Sequence, residues 1–544
     1  MDENTKFDQI VDRRLKEYFK RNPRMAVKLG KEEYEKVVES GTKEHLEENL
    51  NWFTKWINEL KELKTEKLNF ENQISLKTLE YYHNINLFMH EAFPLWKKLP
   101  NGLEYFQETS FLLFQRKGAT TDVAEAIIAH LTNLPKYLAE FQSRFDKTPI
   151  PIVWRDLALE QIQMTPKFLL NLIKVYSETS EVLPDLKDRL VNAIKESESA
   201  ISPHLEWIKS LPVDKDEFAW ALGPEKFDKL LDLRKLPWDR KLILKKGTKE
   251  FNNLYKKVVE IAKEINPNKP LNEVIIEFFK QDKISNFQEV LEYARSEAER
   301  AKKFIESHNL ATIPQESLSI IETPPHLIQT ISSAAYYEAP YYSKYQPGVY
   351  MITPAQNEGE STIYSYTTLA NAVVHEAYPG HHLDFACNNE FAPITRLMGD
   401  ALETIEGWAH YCEEMMLKQE FHKDFNKAKF LVTGGQLFRA MRINLDIQLH
   451  CKQRTIEEAI QMLMNILQMG ETEARAEVLR YTSTPAYQLS YLIGKLLIND
   501  LLSEVEEIMG PNFSLKFFHD TILRSGDLPY YLLKVYFEEK IKKL

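Results

Sequence analysis

The sequence predicts a mainly α-helical protein: two helical regions with one small β-sheet between them. Apolar residues recur at three- and four-residue spacing over most of the chain. Glycine is scarce, 17 in 544 residues, too few for a large fold built on tight β-turns. Only two short runs, both between 313 and 365, have the composition of strands.

The first 310 or so residues follow the helical pattern. In 287–305, Phe287, Val290, Leu291, Ala294, Ala298, Ala301 and Ile305 form one apolar face, and Glu, Lys and Arg fill the other. Asn309 and the following Ala-Thr-Ile-Pro end that helix. Segment 121–145 has the same character. Proline-containing breaks near 148–152, 211–213 and 266–270 suit interhelical loops. Ser317–Thr323 and Gly348–Thr353 suit strands, with an aromatic loop at Tyr336–Tyr342 between them. A helix is expected from about Thr367 to Tyr378, another from near Asp400, and helices through the remainder. The expected organisation is an N-terminal helical lobe, 1–310, and a second region, 311–544, with one continuous domain as the alternative.

The apolar fraction is 44% and the charged fraction 27%, the balance of a globular protein. A net charge of −11 argues against nucleic acid as a partner. No apolar run suffices to span a bilayer, so a membrane partner is not expected. The polar start, Met1-Asp2-Glu3-Asn4, lacks the apolar core of a secretion signal, and a cytoplasmic location is expected. Cys387, Cys412 and Cys451 form no metal knuckle and suit buried thiols.

The most informative stretch is His375-Glu376-Ala377-Tyr378-Pro379-Gly380-His381-His382. Two histidines four apart on a helix face one way and can share an ion, while a glutamate beside the first can take a proton from water. Here Pro379 stands where the second histidine belongs. Proline gives no N–H to the carbonyl of His375 and collides with it, so the helix should break or bulge. If Pro379-Gly380 bulge out, His381 takes the ligand position. His382, at i+7, would lie about 10.5 Å along a continuous helix, too far to share an ion. Distance therefore favours His381, with His382 as the alternative. A third donor is needed, since catalytic zinc sites take three protein ligands. Glu406, His410 and Glu413 share one face of a largely apolar helix, where an unpaired carboxylate is expensive. Gly407 in that helix suggests close approach by another backbone.

These residues, with Glu406-Gly407-Trp408-Ala409, Tyr411, Glu413, Arg480-Tyr481, Pro485, Gln488-Leu489-Ser490-Tyr491 and Gly494, resemble the prokaryotic family catalogued as domain of unknown function 885. That family is similar in fold to the gluzincin metallopeptidases. The resemblance covers at least 335–500 and implies a two-lobed helical hydrolase with a small sheet beside the active-site helix. It implies one Zn2+ per chain on His375, His381 and Glu406, with Glu376 as general base. The substrate would be a short peptide or another small amide; a metal-dependent amidase or esterase and a helical binding protein with a structural metal are the alternatives. Relatives usually carry an aliphatic residue where His410 stands, and many carry a secretion or lipoprotein signal.

Within that reading, Tyr481 and Tyr491 are the candidate oxyanion donors, with His410 behind them. Arg480 is the candidate partner of a substrate carboxylate. Ser483 or Thr484 before Pro485 suits the start of a helix carrying Gln488 and Tyr491 in its first turns. Gly348–Thr353 would be an edge strand along the cleft, with Tyr350 facing substrate and the loop 336–342 walling a subsite. Oligomeric state is left open.

Overall fold

The computed structural model describes residues 2–544 apart from 180–181, 285, 324–330, 332–333, 344–346 and 355–363. Helices dominate, as the apolar periodicity requires. The described chain divides into two compact units. The first is Met1–Trp220 with the short segments Thr323–Ser332 and Ala339–Pro347; the second is Ala221–Glu322, Ser333–Glu338 and Gly348–Leu544. The boundary thus falls at Trp220, not near 310, because the helices between 221 and 310 pack with the elements that follow them.

In the first unit, α1 (Thr121–Gln142) packs on α2 (Pro184–Ser210). Thr120 caps α1 by accepting from the Val123 amide, and Ile127, Leu131, Leu134 and Leu138 bury its face. Two of the expected breaks meet: Ile150–Pro151 pairs in parallel with Val213–Asp214. The loop half Ala339–Ser343 is a packing element of this unit. The Tyr342 amide donates to the Leu29 carbonyl, and the Tyr342 ring packs on Phe19 beneath Lys31. The other half, Tyr336 and Tyr337, is strand in the second unit, so the expected aromatic loop is divided between the two units.

The second unit carries the motifs. Helix α3 (Arg240–Ile265) lies beside α8 (Phe425–His450). Helix α4 (Phe287–Ser307) borders a three-stranded sheet of β1 (Leu318–Glu322), β2 (Ala334–Tyr337) and β3 (Gly348–Ile352) in the order β1-β3-β2. β3 pairs in parallel with β1 and antiparallel with β2. The strand expected at the edge is therefore central, and its five residues are all buried. The outer edge of β1 is blocked at Ile320, whose carbonyl accepts from Nε and Nη2 of Arg295 at 3.0 and 2.8 Å.

Beyond the sheet come α5 (Tyr366–Glu376), α6 (His381–Phe391) and α7 (Leu402–Lys418), and later α9 (Glu471–Ser483) and α10 (Ser490–Met509). A capping box between Ser365 and Thr368 starts α5. Helices α7 and α10 cross with their backbones touching. A Cβ on Gly407 would stand 2.5 Å from the Gly494 carbonyl carbon, and one on Gly494 would stand 2.0 Å from the Glu403 oxygen. No described helix is long and apolar enough to cross a membrane, and the three cysteines are free and buried.

Candidate metal centre

The break at Pro379 is complete: α5 stops at Glu376 and α6 starts afresh at His381. The turn is closed by amides of Tyr378 and Gly380 donating to the carbonyls of Val373 and Val374, both at 3.0 Å. Gly380 folds back over the end of α5 so tightly that a Cβ there would lie 1.8 Å from the His375 oxygen. Trp408 of α7 donates from Nε1 to the Pro379 carbonyl at 2.9 Å, fixing the turn over the third helix. The result is two short helices that meet at an angle, in place of the bulged single helix.

This turn brings His381 against His375, with ring centroids 4.9 Å apart and planes perpendicular. Glu406 of α7 completes the group. One donor atom from each of His375, His381 and Glu406 lies within 4.8 Å of the others. Nε2 of His381 is 3.5 Å from Oε2 of Glu406. Ligands about 2.0–2.1 Å from a tetrahedral zinc stand about 3.3 Å apart, so the donor set fits such an ion. Burial opposes charge on both His381 and Glu406. Their mutual hydrogen bond and attraction outweigh it, holding the histidine cationic and the carboxylate ionised. A divalent cation would supply that positive charge in place of the proton.

Two of the three donors, His375 and Glu406, are braced from behind. His375 Nδ1 lies 2.8 Å from Oε1 of Glu413, about two turns beyond Glu406 on α7. Glu413 also receives Arg439 Nη2 at 2.9 Å and Asn371 Nδ2 at 3.2 Å. Burial works against ionisation of Glu413, but the Arg439 charge and the two histidine hydrogen bonds hold its pKa well below the usual carboxylate range. A carboxylate behind a ligating imidazole fixes the ring and its tautomer. Glu406 Oε1 accepts from the Tyr487 hydroxyl at 2.7 Å. Burial and the Glu406 charge raise the Tyr487 pKa far above its ordinary value, so the phenol keeps its proton and donates. His381 Nδ1 is buried and meets no partner among the described residues.

Glu376, the last residue of α5, makes no hydrogen bond to a described side chain, and its charge acts on His381, Tyr336 and Tyr350. His382 points away from the cluster. Its Nε2 meets Glu316 at 2.6 Å and its Nδ1 meets the Tyr336 hydroxyl at 3.0 Å, so both nitrogens are committed elsewhere. Glu316 also accepts from Lys302 at 2.6 Å and from the Tyr378 hydroxyl at 2.5 Å, which anchors the turn from its other side.

Other expected residues are placed differently. Tyr481 is fully buried and donates to Glu477 at 2.7 Å, not toward Glu406. Arg480 forks onto the same Glu477 at 3.0 and 3.1 Å on the exposed side of α9. Gln488 is a core residue, taking Nε of Arg442 at 3.1 Å and giving a hydrogen bond to Thr484 at 3.1 Å. Tyr350 is 1% exposed on the central strand and so faces the core, not solvent. His410 is buried against Glu413 at 3.4 Å, and burial with the Arg439 charge pushes its pKa to about 3. Only Tyr491 keeps a position near the cluster, its hydroxyl 3.4 Å from that of Tyr487 and its ring beneath Arg442 at 4.4 Å. The helix expected to begin near Pro485 begins at Ser490, because 484–489 form a turn with Ala486 at φ 62°. Tyr487 is not among the residues singled out from the sequence, and Glu413 is read there only as sharing a face with Glu406 and His410, the i, i+7 spacing being the signal for it.

A mainly helical protein with a buried His-His-Glu cluster at a helix break is thus defined. The chain belongs to the family described as "Bacterial protein of unknown function (DUF885)", whose model matches residues 23–535. Among solved structures it is similar to "the putative lipoprotein from Colwellia psychrerythraea", with 18% identity, full coverage of both chains and a TM-score of 0.84. It is also similar to "a putative lipoprotein of unknown function from Shewanella oneidensis", with 20% identity, a TM-score of 0.76, and 97% of this chain and 99% of that one covered. No curated protein matches the sequence. Because these neighbours are described as lipoproteins, the cytoplasmic location expected from the polar start is withdrawn.

Proposed function

We propose that the chain is a zinc-dependent hydrolase that cleaves peptide bonds of short peptides, with one Zn2+ held by His375, His381 and Glu406. The observation that carries the proposal is the convergence of three donor atoms within 4.8 Å beside a glutamate that is not one of them. A zinc there would supply Lewis-acid polarisation and lower the pKa of water to near neutrality. Glu376 takes the proton from the attacking water and hands it to the leaving amine. Glu413 keeps the His375 ring oriented, and Tyr487 holds Glu406. Tyr491 remains the candidate donor to a developing oxyanion; Tyr481 is not, because its hydroxyl is spent on Glu477. The peptide class of substrate rests on the resemblance to gluzincins, and another amide or ester would be served by the same groups.

A purely structural metal would draw a fourth side-chain ligand, and His382 was the candidate. Its commitment to Glu316 and Tyr336 favours an open fourth position. Elemental analysis of the wild type and of His375→Ala, His381→Ala, His382→Ala and Glu406→Ala tests the ligand set. Zinc should be retained in the wild type and in His382→Ala and lost in the other three variants; loss in His382→Ala with retention in His381→Ala would overturn it. Glu376→Gln should keep zinc and lose hydrolysis of a peptide library, and full activity in that variant would remove the general base.

A further inference from the structure

The turn between α9 and α10 is built at evident cost. Ala486 sits at φ 62°, a conformation L residues rarely adopt. It is held by buried groups from three other elements. Asp446 of α8 accepts from the amides of Ala486 and Gln488, both at 3.0 Å. Arg234 donates to the Ala486 carbonyl and, at 2.9 Å, to Ser490 Oγ. Arg234 is itself paired at 2.6 Å with Glu403, three residues before Glu406 on α7. Asp446, Arg234 and Glu403 are all buried. The residue inside this clasp is Tyr487, and its hydroxyl meets Oε1 of Glu406. Oε2, the other oxygen, is the one that faces His381.

We infer that the 484–490 turn is a positioning device for the metal ligand: Tyr487, locked by Asp446 and Arg234, occupies one oxygen of Glu406 so that the carboxylate binds a divalent cation through Oε2 alone. Tyr487, Asp446 and Arg234 are positioning residues that act through Glu406. The inference rests on the proposed metal site. A carboxylate free to rotate would chelate through both oxygens or swing from the ion, and either would change coordination number as well as affinity. A buried carboxylate with one oxygen hydrogen-bonded keeps a single geometry.

The test titrates Co2+ into the metal-free full-length protein and follows its visible absorption, which is stronger for four-coordinate than for five-coordinate cobalt. Tyr487→Phe removes one hydroxyl from a half-buried ring, and circular dichroism checks that the fold is kept. Tyr487→Phe should bind Co2+ about 10- to 100-fold more weakly and with a weaker, shifted spectrum. Asp446→Asn, which leaves the phenol but loosens the turn, should move both readouts in the same direction by less. A Tyr487→Phe spectrum and affinity equal to wild type, with Co2+ binding lost in Glu406→Ala, would overturn the inference and leave the metal site standing. A wild-type response in Asp446→Asn with a weakened Tyr487→Phe would overturn the role of the clasp. Absence of Co2+ and Zn2+ binding in the wild type would overturn the metal site, and the inference with it.

Discussion

The carbonyl oxygen of His375 and the α-carbon of Gly380 approach so closely that any side chain at 380 would occupy the oxygen's place, 1.8 Å away. The glycine is required by this contact. Backbone lies on both sides of the contact, and no flexible side chain can yield. Gly380→Ala should therefore cost about 3 kcal/mol or more of stability. Urea unfolding of the purified variant checks it, and a loss below about 1 kcal/mol would mean that the turn can open.

Two other glycines give opposite expectations from the same reasoning. Gly434 lies inside α8 with nothing within 4 Å of its added Cβ, so Gly434→Ala should stabilise the helix by about 0.5–1 kcal/mol. Gly494→Ala places a methyl 2.0 Å from the Glu403 carbonyl and should destabilise by about 2–3 kcal/mol as α7 and α10 separate. Thermal midpoints of the two variants should move in opposite directions.

Acid should unfold the second unit through its buried neutral histidines. His450 places Nε2 2.9 Å from the Tyr481 carbonyl and receives the Leu222 amide on Nδ1. His519 places Nδ1 2.7 Å from the Leu310 carbonyl and receives the Tyr411 hydroxyl on Nε2. Burial lowers both pKa values to about 4, so the native state binds fewer protons than the unfolded chain. Their contribution is fully present above pH 6.5 and is lost as pH falls through about 4, at up to about 3 kcal/mol each. Urea midpoints at pH 7, 5.5 and 4.5 should fall accordingly, and less steeply in His519→Gln.

Removing the carboxylate behind His375 should weaken metal binding without removing a ligand. Glu413→Gln leaves the imidazole less firmly oriented and Arg439 short of its counter-charge. Zinc affinity, read by competition with a chromophoric chelator, should fall about 10- to 100-fold. Unchanged affinity would reduce Glu413 to a partner of Arg439 alone.

The helices were legible because each buries one regular face, as in 287–305, which forms α4 over Phe287–Ser307. The cluster was legible because its donors sit in two short motifs, and Pro379 forecast the break. What escaped was set at long range. Strand order decides that Gly348–Ile352 is central, and nothing in its own residues says so. Tyr481 and Tyr487 are alike in sequence terms. The turn at Ala486, fixed by Asp446 and Arg234 from distant helices, sends one to Glu406 and leaves the other on Glu477. The extent of the first unit depends likewise on how the helices after Trp220 pack, which local periodicity does not encode.

The cluster is assembled from two ranges of chain. His375, His381, Glu406 and Glu413 come from α5, α6 and α7, and the His375–Glu413 link spans 38 positions. The Tyr487–Glu406 link spans 81 and the Arg234 link to Ala486 spans 252. Loop-closure entropy grows with separation, so the near contacts form more readily than the far ones. During synthesis the donors are therefore complete in the emerging chain before Asp446 and Tyr487 are made. On the proposed metal site, a cluster formed that early would be a loose trap for cations, and selectivity among them would come only with Tyr487 and Asp446 from the C-terminal helices.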